Sequence, residues 1–283
     1  MPEKQKAVAR ILAAQTAQEM REIAERYDMI AGGKIDLRDT RCRFNHAEID
    51  LKEFLLTGCD LSGSTLTNCM GEGVSFDGCR LKQVRITAEK GRKVSFQEAS
   101  FNEAFLEDVT IGPRTLDLSR TMYRKARLRN VTFTMGKLFN ADFTGALFED
   151  VFFRSAELKS ASFRGASLTR VSFEKATLED ADFSQAEFHQ MEHWGEPDFS
   201  GAKISDDLRY RYGIVRDPSS KIVALINSGR FNQDEAAVLS AFLERNRDFL
   251  SNPEVMLIGS EYDIDAGLFV KIMKALKEED VIH

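Results

Sequence analysis

No apolar run in this sequence approaches the ~20 residues that a membrane-spanning helix needs, so no membrane span is expected. The N-terminal stretch has no signal-peptide core: Lys4, Lys6 and Arg10 interleave with alanine and valine, and Gln15 to Glu25 is polar. Cysteine is scarce. Only Cys42, Cys59, Cys69 and Cys79 occur, no CxxC is present, and His46 is the one histidine near them, which argues against a disulfide framework or a zinc site. The phosphate-cradling patterns GxxxxGK[ST] and GxGxxG are missing, and so is the GxSxG nucleophile elbow. No catalytic residues, cofactor or metal are therefore expected. Free thiols fit a reducing, cytoplasmic setting.

What the chain does have is a ladder. From Leu118 to Phe188 every fifth residue is large and apolar: Leu118, Tyr123, Leu128, Phe133, Leu138, Phe143, Phe148, Phe153, Leu158, Phe163, Leu168, Phe173, Leu178, Phe183 and Phe188. Two residues before most of them stands a small or β-branched residue, such as Ala126, Val131, Ala141 or Ala146. A period of five is neither the 3.6 of a helix nor the 2.0 of a strand, and points to a repeat architecture. One large and one small residue per unit face an axis, while the other three face solvent, as in Ala141-Asp142-Phe143-Thr144-Gly145. A second register runs upstream through Leu61, Leu66, Phe76, Leu81, Ile86, Phe96, Phe101, Leu106 and Ile111, with Gly71 and Gly91 at two weak positions. Leu37, Phe44 and Ile49 form a frayed start, and Phe199 and Ile204 a short return. The four cysteines fall on small inward positions and are expected to be reduced core filler, with Cys59 stacked on Cys79.

These units resemble those of the pentapeptide-repeat proteins, which read roughly A(D/N)LXX. The resemblance spans about residues 35–204. It implies a right-handed quadrilateral β-helix of about eight coils, in which residues twenty apart stack at ~4.8 Å and the rod is roughly 40 Å long. The expected class is mainly β. Residues 1–33 form an N-terminal amphipathic capping helix, residues 34–204 the β-helix, and residues 205–283 a C-terminal helical or small α/β module.

The capping helix is read over residues 3–30, with Val8, Ile11, Leu12, Ile23, Tyr27 and Ile30 on one stripe and Gly32-Gly33 ending it. An open solenoid end exposes apolar core and unpaired backbone, which such a helix would cover. In the C-terminal module, Asp234–Leu250 and Ile264–Glu278 read as helices, and Ile222–Ile226 and Val255–Ile258 as short apolar runs. Three interruptions break the ladder: around Glu89 to Lys93, two extra residues around Gly112-Pro113, and one extra between Phe188 and Phe199 beside the only tryptophan, Trp194. Loops on a rigid scaffold are where specificity is added.

Charge is uneven in a chain of net charge −6. Residues 114–137 hold Arg114, Arg120, Arg124, Lys125, Arg127, Arg129 and Lys137 against Asp117 alone, while residues 138–204 hold six basic and twelve acidic residues. The basic belt and Trp194 are the candidate interaction surface. Nucleic acid is disfavoured as its partner, because the aromatics near the belt are ladder residues and buried. His189-Gln190-Met191-Glu192-His193 matches the zinc-hydrolase pattern HxxEH, but His189 directly follows a ladder residue and should lie on a coil, not a helix. The flat walls of such a rod do not converge polar groups, so an enzyme is not expected.

The function expected is a non-enzymatic scaffold binding an unidentified protein along a wall or through the C-terminal module, with dimerisation through that module left open. The resemblance carries two alternatives. One is a DNA mimic acting on type II topoisomerase, which needs a continuous anionic rod that the belt interrupts. The other is an exported bacterial effector, for which the sequence has no mark.

Overall fold

Each five-residue unit turns its large residue fully inward and bends the chain at a corner. In the computed structural model, Phe143, Phe153, Phe163, Phe173 and Phe183 have no exposed surface, nor do Leu118, Tyr123 or Leu138. The structure describes residues 2–45, 48–112, 116–190, 199, 201–204, 214–216, 218–250, 254–256 and 265–280.

The corner chemistry explains the unit. The residue two beyond each large one adopts the left-handed conformation, with φ of 55° at Asn140, 58° at Ser160 and 67° at Gly145. The residue before the large one braces the same bend. The Asp142 carboxylate accepts the Thr144 N–H at 2.9 Å, Asp182 accepts from Ser184 at 2.9 Å, and Asp60 from Ser62 at 3.1 Å. Short polar side chains make this local bond most readily, which is why aspartate and serine recur before the large residue.

Parallel pairing stacks the coils into a β-helix of about 8 turns with four walls. The first two walls are joined by strands that run through the corner between them: Phe105–Ile111, Arg127–Phe133 and Leu147–Phe152. Arg127 pairs with Leu147 and Phe105, and Thr132 with Phe152 and Thr110. The third wall stacks Asp117, Lys137, Glu157 and Thr177, and the fourth stacks Ser100, Met122, Asp142, Ser162 and Asp182. Inside, aromatic rings pile up at the coil spacing. Phe76, Phe101, Tyr123, Phe143, Phe163 and Phe183 form one column with centroids 4.8–5.0 Å apart and planes within 13°. Phe133, Phe153 and Phe173 form a second, at 5.0 and 5.3 Å.

Stacked residues are not uniformly twenty apart. The step is 19 from Ile35 to Phe54, 20 from Leu66 to Ile86, 25 from Ile86 to Ile111, 22 from Leu106 to Leu128 and 21 from Asp182 to Lys203. The 25-residue step corrects the reading of Gly91. That glycine is exposed, because the unit around it leaves the rod as a loop after Ala88 and rejoins at Val94. Gly71, by contrast, does face the axis. A Cβ there would lie 2.4 Å from the Phe96 ring, so Phe96 occupies the space that a side chain at 71 would need. In the 22-residue coil, a Cβ at Gly112 would meet the Thr134 carbonyl oxygen at 2.9 Å, so only glycine suits that approach.

The N-terminal cap also differs from expectation. It is two helices, Pro2–Ala13 and Ala17–Arg26, instead of one. Thr16 and Glu19 form a reciprocal capping box that starts the second helix and thereby breaks the first. Gly32 and Gly33, both with positive φ, make the tight turn between Ile30–Ala31 and Lys34–Asp36 and do not end a helix. The capping role stands on packing: Ala7, Val8, Ile11, Met20 and Ala24 join the same buried core as Leu37, Phe44 and the ladder. Lys4 and Gln5 donate to the Arg38 and Arg41 carbonyls at 3.0 and 2.6 Å, covering backbone acceptors of the first coil.

The C-terminal region has its own core. Helices Pro218–Asn227, Gln233–Arg245, Arg247–Leu250 and Ala266–Asp280 accompany an antiparallel pair, Ile214–Arg216 with Glu254–Met256. Ile222, Leu225, Leu239, Phe242, Ile272 and Leu276 are buried together. The apolar run at Ile222–Ile226 is thus helical, and the long helix over Asp234–Leu250 breaks at Asn246. Among the described residues no helix is long and apolar enough to cross a membrane.

Candidate functional site

A coil wraps all four walls in about twenty residues, so neighbours in sequence scatter around the rod. The basic belt shows this. Lys137 lies on the third wall, Arg124 on the fourth, Arg127 and Arg129 on the first, and Arg120 and Lys125 sit at corners with φ of 60° and 56°. The structure therefore makes them a ring and does not gather them into a patch. Three are engaged by carboxylates of neighbouring coils: Arg120 by Glu98 at 3.0 Å, Arg124 by Asp142 at 2.5 Å and Arg129 by Glu107 at 3.7 Å. Burial opposes ionisation of Asp142, but Thr144 and Arg124 outweigh it and hold the carboxyl below its ordinary value. Arg114 and Trp194 lie outside the described residues, as do Met191, Glu192 and His193 of the HxxEH string. His189 sits on a strand paired with Thr169, not on a helix.

Patches on a rod are made by residues one coil apart. Along the first wall, Phe105, Arg127 and Leu147 stand one above another, with Leu147 48% exposed. At the corner between the first and second walls, Asn130 donates to Asp108 at 2.8 Å, and Arg170 to Asp150 at 2.6 Å and to Gln190 at 2.7 Å. The third wall alternates in sign, with Asp117, Lys137 and Glu157 stacked, and Lys159 pairs with Glu179 at 2.7 Å.

The second wall differs from the rest. Its outward residues, coil by coil, are Thr65 and Thr67, Arg85 and Thr87, Thr110 and Gly112, Thr132 and Thr134, then Phe152 and Arg154. The Thr67 and Thr87 hydroxyls are 3.2 Å apart. No outward carboxylate occurs on this wall until Glu174, which accepts from Arg154 at 2.9 Å. Phe152 is 42% exposed in register with Thr132 and Ser172. The first of the ladder's interruptions leaves from this wall's far edge, after Ala88, while the second, after Gly112, lies outside the described residues. The first carries Lys90, Arg92 and Lys93, and Arg92 reaches Glu48 at 2.6 Å. Reading the sequence linearly misses this wall; aligning it coil by coil, with the 25- and 22-residue steps allowed for, would have exposed the threonine column.

A groove of about 480 Å³ beside the second helix is lined by Arg21, Glu48, Asp50, Glu53 and Phe54, but Arg21 pairs with Glu53 at 2.8 Å and Arg92 with Glu48. The cysteines are all free and buried, and Cys42, Cys59 and Cys79 are mutual neighbours. Contact with Cys59, together with burial, pushes the Cys42 and Cys79 thiols up. Among the described residues no cluster of histidine, cysteine or carboxylate groups is arranged to hold a metal.

Two family models match the chain: a pentapeptide repeat region over residues 114–183, and pentapeptide repeats in eight copies over residues 49–87. Among solved structures, the chain is similar to HetL, a pentapeptide repeat protein involved in heterocyst differentiation regulation from the cyanobacterium Nostoc sp. strain PCC 7120, at 24% identity, covering 60% of this chain and 77% of that one, TM-score 0.32. It is similar to QnrB1, a plasmid-mediated fluoroquinolone resistance protein, at 18% identity, covering 61% and 92%, TM-score 0.22. A pentapeptide repeat protein from the Arabidopsis thaliana thylakoid lumen matches at 20% identity, covering 55% and 75%, TM-score 0.20. No curated protein matches the sequence.

Proposed function

Since this chain belongs to the pentapeptide-repeat proteins, we propose that it is a non-enzymatic scaffold that binds another protein through one wall of its rod. The observation that carries this reading is Phe152. It is a phenylalanine 42% exposed on a flat wall of hydroxyls, whereas the ladder phenylalanines around it are buried. An exposed aromatic on a rigid surface is the usual anchor of an interface, because it brings contact area at little ordering cost. The stacked cores of the rod hold that wall in place before any partner arrives.

A photo-crosslinking residue placed at position 152 of the full-length protein, and separately at positions 127 and 177, tests the reading in cells. A discrete protein adduct at 152 is the expected result. No protein adduct at any of the three positions would refute a wall-binding scaffold. The DNA-mimic alternative is not favoured, because acidic and basic residues alternate along the third wall and the second wall holds no outward carboxylate from Thr65 to Phe152.

A further inference from the structure

We propose that the second wall docks an acidic single segment of its partner: one helix or one strand, rich in carboxylates, lying along the rod with an apolar side chain on Phe152. This rests on the scaffold reading above and names the surface and the chemistry of what it binds.

Charge is the first argument. The chain has 45 acidic against 39 basic residues, yet this wall carries no outward carboxylate from Thr65 to Phe152. Arg85 is exposed on it and pairs with no carboxylate among the described residues. Lys90 and Lys93 are exposed on the loop that leaves its far edge and are likewise unpaired there, against one exposed carboxylate, Glu89. Asp108 and Asp150 at the near edge are engaged by Asn130 and Arg170. An anionic segment on this wall meets cations and hydroxyl donors. A cationic one meets more positive than negative charge.

Size is the second argument. Each rung presents about three residues, ~10 Å of strand, and five rungs at ~4.8 Å give a height near ~20 Å. The face therefore offers roughly 200 Å², against ~800 Å² per partner in a standard globular interface. A globular partner, a second copy of this chain included, would overhang a face this narrow on both sides. A helix, ~10–12 Å across, matches the width and would cover the height with about 14 residues.

The third argument is the placement of the anchor. Phe152 stands at one end of the threonine column and Arg85 near the other, three coil steps apart at about 14 Å. A bound segment thus needs an apolar group and a carboxylate at that separation, which sets direction as well as charge.

The test selects random 16-residue peptides, displayed on phage, on the full-length protein. Fluorescence anisotropy then measures the selected peptides against wild type, Phe152→Ala, Arg85→Glu and the first-wall control Arg127→Glu. All three side chains are exposed, so the core is untouched, and circular dichroism verifies the fold. Anionic peptides with an apolar residue are expected. Phe152→Ala and Arg85→Glu should each weaken them at least tenfold, Arg127→Glu should leave them unchanged, and added salt should weaken them. Neutral or cationic peptides, no peptide at all, or loss on Arg127→Glu alone would overturn the proposal. Displacement of the peptides by a 20-nucleotide DNA duplex at lower concentration than by free peptide would overturn it in favour of nucleic acid. If a protein crosslinks at position 127 or 177 while the peptide result fails, the scaffold reading survives and the wall assignment falls.

Discussion

Replacing Tyr123 by phenylalanine should make the rod more stable. Tyr123 is the one tyrosine in a column otherwise built of phenylalanine, stacked 4.9 Å from Phe101 and 4.8 Å from Phe143 with planes within 12°. Its ring is fully buried, and among the described residues its hydroxyl makes no hydrogen bond of good geometry, although the Thr121 side chain lies close to it. The neighbouring Thr121 hydroxyl donates to the Leu118 carbonyl at 2.7 Å. A buried polar group left unsatisfied costs about 1–3 kcal/mol, and phenylalanine removes it while keeping the ring contacts. Urea denaturation followed by circular dichroism should place Tyr123→Phe about 1–3 kcal/mol above wild type, with an unchanged slope. Because solenoids can unfold in parts, hydrogen exchange of the coil over residues 118–137 gives a local check. The pH dependence supplies an independent sign. Burial pushes the Tyr123 pKa above its ordinary value of 10.0. The neutral ring is favoured in the fold, so wild-type stability holds below pH 10 and falls as pH rises beyond it, when the unfolded chain ionises first. The gap in favour of Tyr123→Phe should therefore widen above pH 10. A variant less stable than wild type by 1 kcal/mol or more would mean that the hydroxyl is satisfied, for example by a buried water, and would refute the argument.

Other consequences are as direct. Phe163→Ala, in the middle of both stacking and edge contacts, should cost about 3–5 kcal/mol in denaturation. Gly71→Ala should cost about 1–3 kcal/mol, since the new Cβ meets the Phe96 ring, and a neutral result would show that the ring moves freely. Deleting residues 89–93 should leave a folded rod within about 1 kcal/mol of wild type, measured by thermal unfolding, because Val94 and Phe96 then follow Ile86 in unbroken five-residue phase. The depressed pKa of Asp142 implies stability present above its ordinary value of 3.8 and lost as pH falls through that region. Asp142→Asn keeps an acceptor for Thr144 but should show a flatter acid limb.

The sequence was most legible where geometry repeats. Phe143 and Phe163, or Cys59 and Cys79, could be stacked on paper because a uniform coil makes twenty residues one turn. It misled at Gly91 for a definite reason: an insertion of five residues is invisible to a period of five, since the phase resumes unchanged at Phe96. The break at Thr16 was written in a capping box whose local bonds outweigh a continuous apolar stripe. The belt was misplaced in another way. Arg120 through Lys137 are close in sequence, and a linear count treats them as one patch, whereas a single coil carries them around the whole circumference. Phe152 went unmarked because it flanks Phe153, and only the register shows which of the two faces out.

The loop over 89–93 leaves the rod at the far edge of the second wall, after Ala88, and rejoins it at Val94. The bonds that join coils run to the coil above or below and skip the loop, as from the Thr110 N–H to the Val84 carbonyl and from the Gly112 N–H to the Ile86 carbonyl, so chain added at this corner leaves those bonds where they were. Length can therefore change along this seam without shifting any buried ring, and what is gained emerges beside the hydroxyl face. The fold thus separates two kinds of change. Substitution on the walls alters chemistry at fixed positions, and insertion at the seam alters reach.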